Sequence, residues 1–420
     1  MRTHNGNPVR EPVPVVLAGA RGHGRWHLNN LRNLAEAGRV KLVGVCELRP
    51  LDAAELDGFA ADDVVQTADF GELLDRTGAR IAVICTPIQT HTDLALVAAE
   101  RGVHLLLEKP PAPSYTEYER MVTGVAAAGI ACQVGFQSLG SHAVSHIRDL
   151  VRDGSIGEPL GIGAAGAWAR DEAYYRRAPW AGRRSLSVDG GTGNGTGTGN
   201  GSGTGRAGRT VDVVDGVLTN PLAHAVATSL ALDGATGGDD LTAIRTELYR
   251  ANDIEADDTS CVELTTRSGS RVTVAATLCA ELPDEPYVIV HGSQGRITFW
   301  YKQDRVLVQR AGRGPQESVH GRTDLLANLV EHLATGGETP LLVPPAATGA
   351  FMRVVEAIRR APAPLALPAD AWSEVPADRP GVVRRVVHGA DGLVAASADG
   401  LTGFAGLGVS WARSGAEASS

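Results

Sequence analysis

Lysine is almost missing from this chain. Three of its 39 basic residues are lysine (Lys41, Lys109 and Lys302), and arginine supplies the rest. The basic residues form no block and the net charge is −9, so a nucleic-acid backbone is not an expected partner. Long apolar runs are missing too, and no membrane span is expected. Residues 1–14 are polar and lack the apolar core of a signal peptide. Cysteine is sparse: the five residues Cys46, Cys85, Cys132, Cys261 and Cys279 are odd in number and widely scattered. That pattern offers no disulfide frame and no zinc spacing, so buried reduced thiols, no bound metal and a cytoplasmic location are expected.

What is present is ordinary globular material: 420 residues, 43% of them hydrophobic, enough for two or three domains with real cores. Val13 to Leu17 reads as a strand, Gly19-Ala20-Arg21-Gly22-His23-Gly24 as a turn, and Arg25 to Ala37 as a helix. In that context glycines let backbone amides approach a pyrophosphate, and the helix N-terminus stabilises its charge. A G-x-G-x-x-G register fails at its middle glycine, where Arg21 stands, so a turn without a ligand stays open as a reading. A second strand, Val40 to Cys46, ends at Glu47, at the distance expected for a carboxylate that holds ribose hydroxyls.

The alternation continues. Asp69 to Asp75 fits a helix, Ile81 to Cys85 a strand ending in Thr86-Pro87, and His91 to Arg101 a helix. Val103 to Leu107 is a strand ending in Glu108-Lys109-Pro110-Pro111, Tyr115 to Ala128 a helix, and Ile130 to Gly135 a strand. Strands separated by helices imply a parallel, doubly wound sheet, with ligands beyond the carboxyl ends of its strands. Gly19, Glu47, Thr86 and Glu108-Lys109 all fall at such ends. Lys109 either pairs with Glu108 or supplies a site with an amine, a compact donor whose pKa its surroundings can move.

Beyond Ser141 the texture changes. His142 to Arg152 fits a helix and Leu160 to Trp168 a strand. Arg170, Tyr174, Tyr175, Arg176 and Trp180 mix aromatic rings with guanidinium groups, which suits a polar ring compound or an anion, or else a loop packed on its own domain. Residues 187–208, rich in glycine, threonine, asparagine and serine, are an expected disordered insertion. Asn220 reads as the N-cap of a helix running to Leu232, with Pro221 first inside it and His224 near the same side of its first turn. A capping asparagine and a core histidine are the plain alternatives to a catalytic pair. Strand pairs follow, Val262–Thr266 with Arg271–Leu278 and Tyr287–His291 with Arg296–Trp300, in a sheet covered on one face. Asp253, Glu255, Asp257 and Asp258 are expected to be solvated. Helices Asp324–Leu333 and Ala346–Arg359 close this domain, and the tail carries strands at Val382–Val387 and Leu393–Ala396.

Taken together, Gly19 to Gly24, Glu47, Thr86-Pro87 with His91, Glu108-Lys109-Pro110, Gly154 to Gly157 and His224 resemble the glucose–fructose oxidoreductase / inositol dehydrogenase (Gfo/Idh/MocA) family over about residues 13 to 360. The resemblance implies an α/β chain. Its N-terminal NAD(P)-binding Rossmann domain would span 13–138 after a disordered tail (1–12). A C-terminal α+β domain with an open, largely antiparallel sheet would span 139–368, followed by an extension (369–420). It implies NAD, or NADP given Arg49 beside Glu47, as cofactor, a sugar-like substrate, and a homo-dimer or homo-tetramer built through the C-terminal sheet. Cofactor contacts would come from Gly19 to Gly24, Glu47, Arg49, Thr86, Pro87, His91, Glu108 and Lys109. Lys109 would touch the reacting hydroxyl and His224 would be the catalytic histidine. The family places an aspartate four residues before that histidine. Here Asn220 stands there, and it can orient a group but cannot accept a proton. The expected activity is hydride transfer to or from a sugar or polyol. A redox-neutral sugar reaction and a non-catalytic sensor are the alternatives.

Overall fold

The structure, a computed structural model, describes residues 11–188, 209–413 and 415–418. The chain divides into two compact units. One comprises Met1–Pro111, Glu119–Gly135 and Asp324–Pro344; the other comprises Ala112–Tyr118, Phe136–Thr323 and Pro345–Ser420.

The first unit is built on six parallel strands: β1 (Val13–Ala18), β2 (Val40–Cys46), β3 (Val65–Thr67), β4 (Ile81–Ile84), β5 (His104–Leu107) and β6 (Cys132–Val134). Their order, β3-β2-β1-β4-β5-β6, is that of a doubly wound nucleotide-binding sheet, with its switch point between β1 and β4. The central strands are apolar throughout because both faces are covered: Val15 to Ala18 and Ile81 to Ile84 are each wholly inaccessible to solvent. Helices α1 (Gly24–Glu36), α2 (Phe70–Thr77), α3 (His91–Glu100) and α4 (Tyr115–Ala127) make the connections. Asp69 caps α2 by accepting from the Glu72 amide, and Gly78 ends it in the left-handed conformation.

One helix is not where sequence placed it. The segment expected as Asp324–Leu333 in the second domain clusters with the first unit. Gln133 explains this. Its buried amide donates to the Leu325 carbonyl (3.1 Å) and to Asn328 Oδ1 (2.6 Å), and accepts from the Val343 amide (2.8 Å). A polar residue in the last core strand thus needs three partners from residues 325–343, a demand that hydrophobic periodicity does not register.

The second unit contains helices α5 (His142–Arg152), α6 (Glu172–Tyr175), α7 (Ala223–Asp233), α9 (Gly349–Arg360) and α10 (Ala390–Gly400), with α8 (Leu325–Ala334) lying in the first unit. Its main sheet has ten strands: β7 (Pro159–Ala167), β10 (Leu241–Arg250), β11 (Thr259–Thr266), β12 (Arg271–Thr277), β13 (Tyr287–Gly292), β14 (Gly295–Trp300), β15 (Arg305–Arg310), β16 (Gln316–Val319), β17 (Leu365–Ala366) and β20 (Ala416–Ala418). Neighbours are antiparallel except at β7/β12 and β10/β17. Two small hairpins complete it, β8 (Ser185–Val188) with β9 (Arg209–Asp212), and β18 (Trp372–Pro376) with β19 (Val383–Val387). Ser187 and Val188, expected in the disordered insertion, are therefore in a strand. The rest of that insertion and residues 1–10 of the expected 1–12 tail lie outside the described residues.

The sheet is covered on both faces, not one. Residues at odd and even positions of a strand face opposite ways. In β7, Gly166 leaves room for Leu222, just ahead of α7, whereas Gly163 leaves room for the backbone of Ala398 in α10. The short apolar stretch Leu393–Ala396 reads as a strand in isolation. In the fold it belongs to a longer stripe, Ala390, Val394, Ser397 and Ala398, which is the buried face of α10. Phe404 and Trp411 follow and pack around Tyr249, extending the same core. One face of β7 and β12 is thus covered by the chain's own extension. Glu247 holds the extension's turn, accepting from the Ala405 amide and from the Tyr249 hydroxyl.

Two outcomes test this packing. Gly163→Val should lower stability by about 2 kcal/mol in urea denaturation, because the added carbons meet helix backbone that cannot give; an unchanged midpoint would refute the close approach. Burial, reinforced by Glu263, pushes the Glu247 carboxyl up to about 7 from 4.5. A raised acid pKa means the folded state binds the proton more tightly, so stability is lost as pH rises from 4.5 through about 7. Glu247→Gln should remove that loss and melt about 3 °C higher than wild type at pH 8, with the difference vanishing near pH 4.

Candidate functional site

The first unit brings the strand-end residues together at the switch point of its sheet. Gly19 has φ +82°, and a Cβ there would lie 2.5 Å from the Cys85 carbonyl oxygen, so β1 can meet the end of β4 only through glycine. Gly24 leaves room for the Gly19 carbonyl as α1 begins, and Gly22 has φ +61°. Arg21 stands where the middle glycine was expected, and its amide has found a different acceptor. Glu47 Oε1 accepts from the Ala20 amide (2.7 Å) and the Arg21 amide (3.1 Å), clamping the turn to the end of β2. The Arg21 side chain bends away to Glu55 (3.0 Å) and to the carbonyls of Arg49 (2.8 Å) and Pro50 (3.0 Å). Glu55 was not singled out from sequence; it holds the Arg21 guanidinium. Arg49 contributes its carbonyl to this contact, and its side chain is exposed.

Two expected cofactor contacts turn inward instead. His91 is buried, with Nδ1 2.9 Å from the Pro110 carbonyl and Nε2 2.8 Å from the Thr86 carbonyl. It ties the loop after β4, where Thr86 bonds Thr90 (2.6 Å), to the loop after β5. Burial pushes its pKa down. Glu108 is buried too. His27 Nε2 lies 2.9 Å from Glu108 Oε1, and the exposed His23 lies 3.6 Å from the same oxygen. Burial alone would raise this carboxyl, but the two imidazole contacts win and hold it well below the usual range. These three residues are the group among the described residues whose donor atoms converge as metal ligands do, within 4.8 Å. The 2.9 Å His27–Glu108 contact is an ordinary hydrogen bond, and we read the group as a fastening between α1 and β5. Lys109 follows at the strand end, partly buried, its amide donating to Glu108 Oε2 (3.0 Å).

In the second unit His224 is half-buried at the start of α7. Its Nδ1 lies 3.1 Å from Ser138 Oγ, which accepts from Thr228 Oγ1 (3.0 Å). With Nδ1–H donating to Ser138, Nε2 carries the lone pair a general base requires. Phe136 and Tyr301 flank the ring. Ser138 and Thr228 carry no motif and were invisible in the sequence.

Asn220 does not cap α7. The helix begins at Ala223, after turns in which the Asn220 amide donates to the Gly216 carbonyl (3.0 Å) and the Leu222 amide to the Val217 carbonyl (2.8 Å). Its side-chain Nδ2 donates to Asp215 Oδ1 at 2.6 Å, a carboxylate that sequence reading missed. Asp257 holds these turns, accepting from the Val217 amide (3.2 Å) and Ser260 Oγ (2.7 Å). Asp258 accepts from the amides of Ala251 (3.0 Å) and Asn252 (2.8 Å). Both acids, expected to be solvated, are buried, and burial raises both pKa values. Asp253 and Glu255 are exposed as expected.

The aromatic and arginine-rich segment splits in two. The Arg177 guanidinium lies over Tyr174 (3.7 Å) and Trp180 (4.6 Å) and reaches Asp215 (3.3 Å), while Arg170 lies over Trp168 (4.9 Å) and Tyr174 (5.1 Å). Tyr175 and Arg176 line a separate cavity of about 900 Å³ with Arg183, Arg250 and Arg385. Arg170, Tyr174 and Trp180 are therefore grouped, with the Tyr175 ring edge-on to Tyr174 (5.2 Å between centroids), while Arg176 turns to Glu172 (2.9 Å).

Residues 13–136 match the model of an oxidoreductase family with an NAD-binding Rossmann fold, Gfo/Idh/MocA. That match covers the Rossmann domain, just under a third of the chain. The chain is similar to 4-carboxy-2-hydroxymuconate-6-semialdehyde dehydrogenase of a Sphingobium species, 30% identical over 29% of this chain and 37% of the relative. It is also similar to levoglucosan dehydrogenase of Pseudarthrobacter phenanthrenivorans, 24% identical over 56% of this chain and 59% of the relative. The matched stretches thus span less than two thirds of either relative. In fold it is similar to the WlbA dehydrogenase of Bordetella pertussis, solved with NADH and UDP-GlcNAcA. That likeness has a TM-score of 0.63 at 19% identity, covering 84% of this chain and 95% of that one.

Glu47→Ala should weaken NAD binding at least about tenfold in a calorimetric titration, because it removes the clamp on the glycine turn. Unchanged affinity would rule out that role.

Proposed function

We propose that this protein is an NAD-dependent dehydrogenase of a sugar, polyol or related carbinol. The observation that carries the reading is the gathering of Gly19, Glu47, Thr86 and Lys109 at the ends of adjacent parallel strands, within a domain of an NAD-binding family. The donor set fits the dinucleotide. Gly19 and Gly22 allow a close backbone approach, and Glu47 Oε2, 3.8 Å from Arg21, is an acceptor placed for ribose hydroxyls. Glu47 and Glu55 put two carboxylates where a 2′-phosphate would need cations, which favours NAD over NADP. The relative named levoglucosan dehydrogenase and the neighbour solved with a sugar nucleotide support a sugar-like substrate. Among the described residues no helix is long and apolar enough to cross a membrane, and the five free cysteines suit a reducing cytoplasm.

Bound NAD supplies the acceptor for the hydride that leaves the carbinol carbon. This chain's residues handle the proton and the geometry. His224 Nε2 takes the hydroxyl proton as the carbonyl forms, in the tautomer whose Nδ1–H donates to Ser138. The Lys109 ammonium holds the reacting oxygen and the nicotinamide ribose, and Arg170, Tyr174 and Trp180 bind the rest of the substrate. Asn220 in place of an aspartate keeps a second reading alive, a redox-neutral sugar reaction through a transient ketone.

A spectrophotometric screen of sugars and polyols should show net NADH formation; turnover without it would select the second reading, and NAD binding with no turnover would refute both. Lys109→Ala should lower kcat at least about a hundredfold while leaving NAD affinity within about threefold. Retained activity would remove Lys109 from the reaction.

A further inference from the structure

Asp215 is a buried acid that the reaction just described does not use. Its side chain is 2% exposed, yet three donors converge on it: Asn220 Nδ2 (2.6 Å), the Gly182 amide (2.8 Å) and Arg177 Nη2 (3.3 Å). Such a set is what keeps a carboxylate charged away from water.

The backbone that carries it is strained and braced. Val214, β-branched and 3% exposed, has φ +44°. That region is unfavourable for such a side chain and persists only where the surroundings enforce it. Thr219 Oγ1 does so by donating to the Val214 carbonyl (2.5 Å) and accepting from the Gly216 amide (2.9 Å). The Asp215 amide is fixed as well, donating to the Arg183 carbonyl (2.9 Å). Gly216 is confined against the Asp257 carboxylate, where a side chain would collide. The strain and its bracing serve to aim one carboxylate at Asn220.

An asparagine amide can be turned end for end at little cost unless a partner forbids it. A carboxylate 2.6 Å away forbids it, because only the amide nitrogen can face it. Oδ1 is then committed to the other direction, where it can only accept. We propose that Asp215 is a positioning residue for the dehydrogenase reaction: it locks Asn220 so that the Asn220 carbonyl oxygen receives a substrate hydroxyl beside His224. The negative charge expected at position 220 has been moved back to Asp215 and acts through an amide. The proposal rests on the function inferred above and narrows it. The substrate presents a hydroxyl, not an acceptor, to position 220.

Three variants of the full-length protein with NAD and either levoglucosan or scyllo-inositol test this, with circular dichroism and NAD affinity as controls. Asp215→Asn should lower kcat about tenfold with KM for the sugar changed less, since the amide at 220 loses its fixed sense. Asn220→Asp should place two carboxylates face to face, so activity at pH 8 should fall at least about tenfold and recover as pH drops towards 5, where the pair shares a proton. The exchange Asp215→Asn with Asn220→Asp should rebuild the hydrogen bond in reverse and return kcat to within about threefold of wild type. Should Asp215→Asn alone fail to fold, the exchange and Asn220→Asp decide. An active wild type with Asn220→Asp equally active and flat in pH, or an exchange no better than Asn220→Asp, would overturn the positioning role and leave the dehydrogenase intact. A wild type inactive on every sugar and polyol would overturn both.

Discussion

One carboxylate oxygen holds the nucleotide loop in shape. Glu47 Oε1 receives the amides of both Ala20 and Arg21, so the end of β2 fixes the turn that follows β1. In a G-x-G-x-x-G turn the middle glycine lets the backbone approach a pyrophosphate. Here Arg21 occupies that place, and the loop is stabilised instead from the side, with the arginine's guanidinium drawn off to Glu55. The same arrangement sets two carboxylates, Glu47 and Glu55, against one arginine.

A second fastening works from below the loop. His27, on the first turns of α1, is buried against Glu108 at the end of β5, and His91 joins the ends of β4 and β5 through two carbonyls. Neither side chain is directed at a ligand. Together they hold Thr86, Pro87 and Lys109 in fixed relation to the glycine turn. The second unit repeats this economy: Asp257 is spent on the Val217 amide, in the turns that carry Asp215 and Asn220, and Asp258 on the amides of Ala251 and Asn252.

Much of this was legible before any coordinates. The strand-turn-helix rhythm of residues 13–135 gave the parallel sheet, because each core strand is apolar on both faces and each connection has its own amphipathic stripe. The strand-end residues followed, since in a parallel sheet they must share one edge. What stayed hidden were contacts made by polar groups at long sequence separation. Gln133 recruits α8 across roughly two hundred residues, and nothing in local periodicity announces that demand. Asp215 and Ser138 act through side-chain hydrogen bonds that no sequence spacing reveals. His91 and Glu108 were found, but as ligands of a cofactor, because sequence shows a residue's chemistry and not the direction in which it points. The tail misled for another reason: Leu393–Ala396 is too short a window to separate a strand from one side of a small-residue helix. That helix matters to the whole second unit, since it takes the sheet surface over β7 and β12 for the chain itself.

The central claim is that a hydride passes between a substrate carbon and the nicotinamide. The most direct measurement is to incubate the protein and NAD with levoglucosan or scyllo-inositol carrying deuterium on every carbon, and to weigh the recovered cofactor. The account predicts NADH carrying deuterium in place of one hydrogen, or labelled cofactor at steady state if the reaction is redox-neutral. Tight NAD binding with no deuterium in the cofactor, for these and for other deuterated polyols, would contradict it.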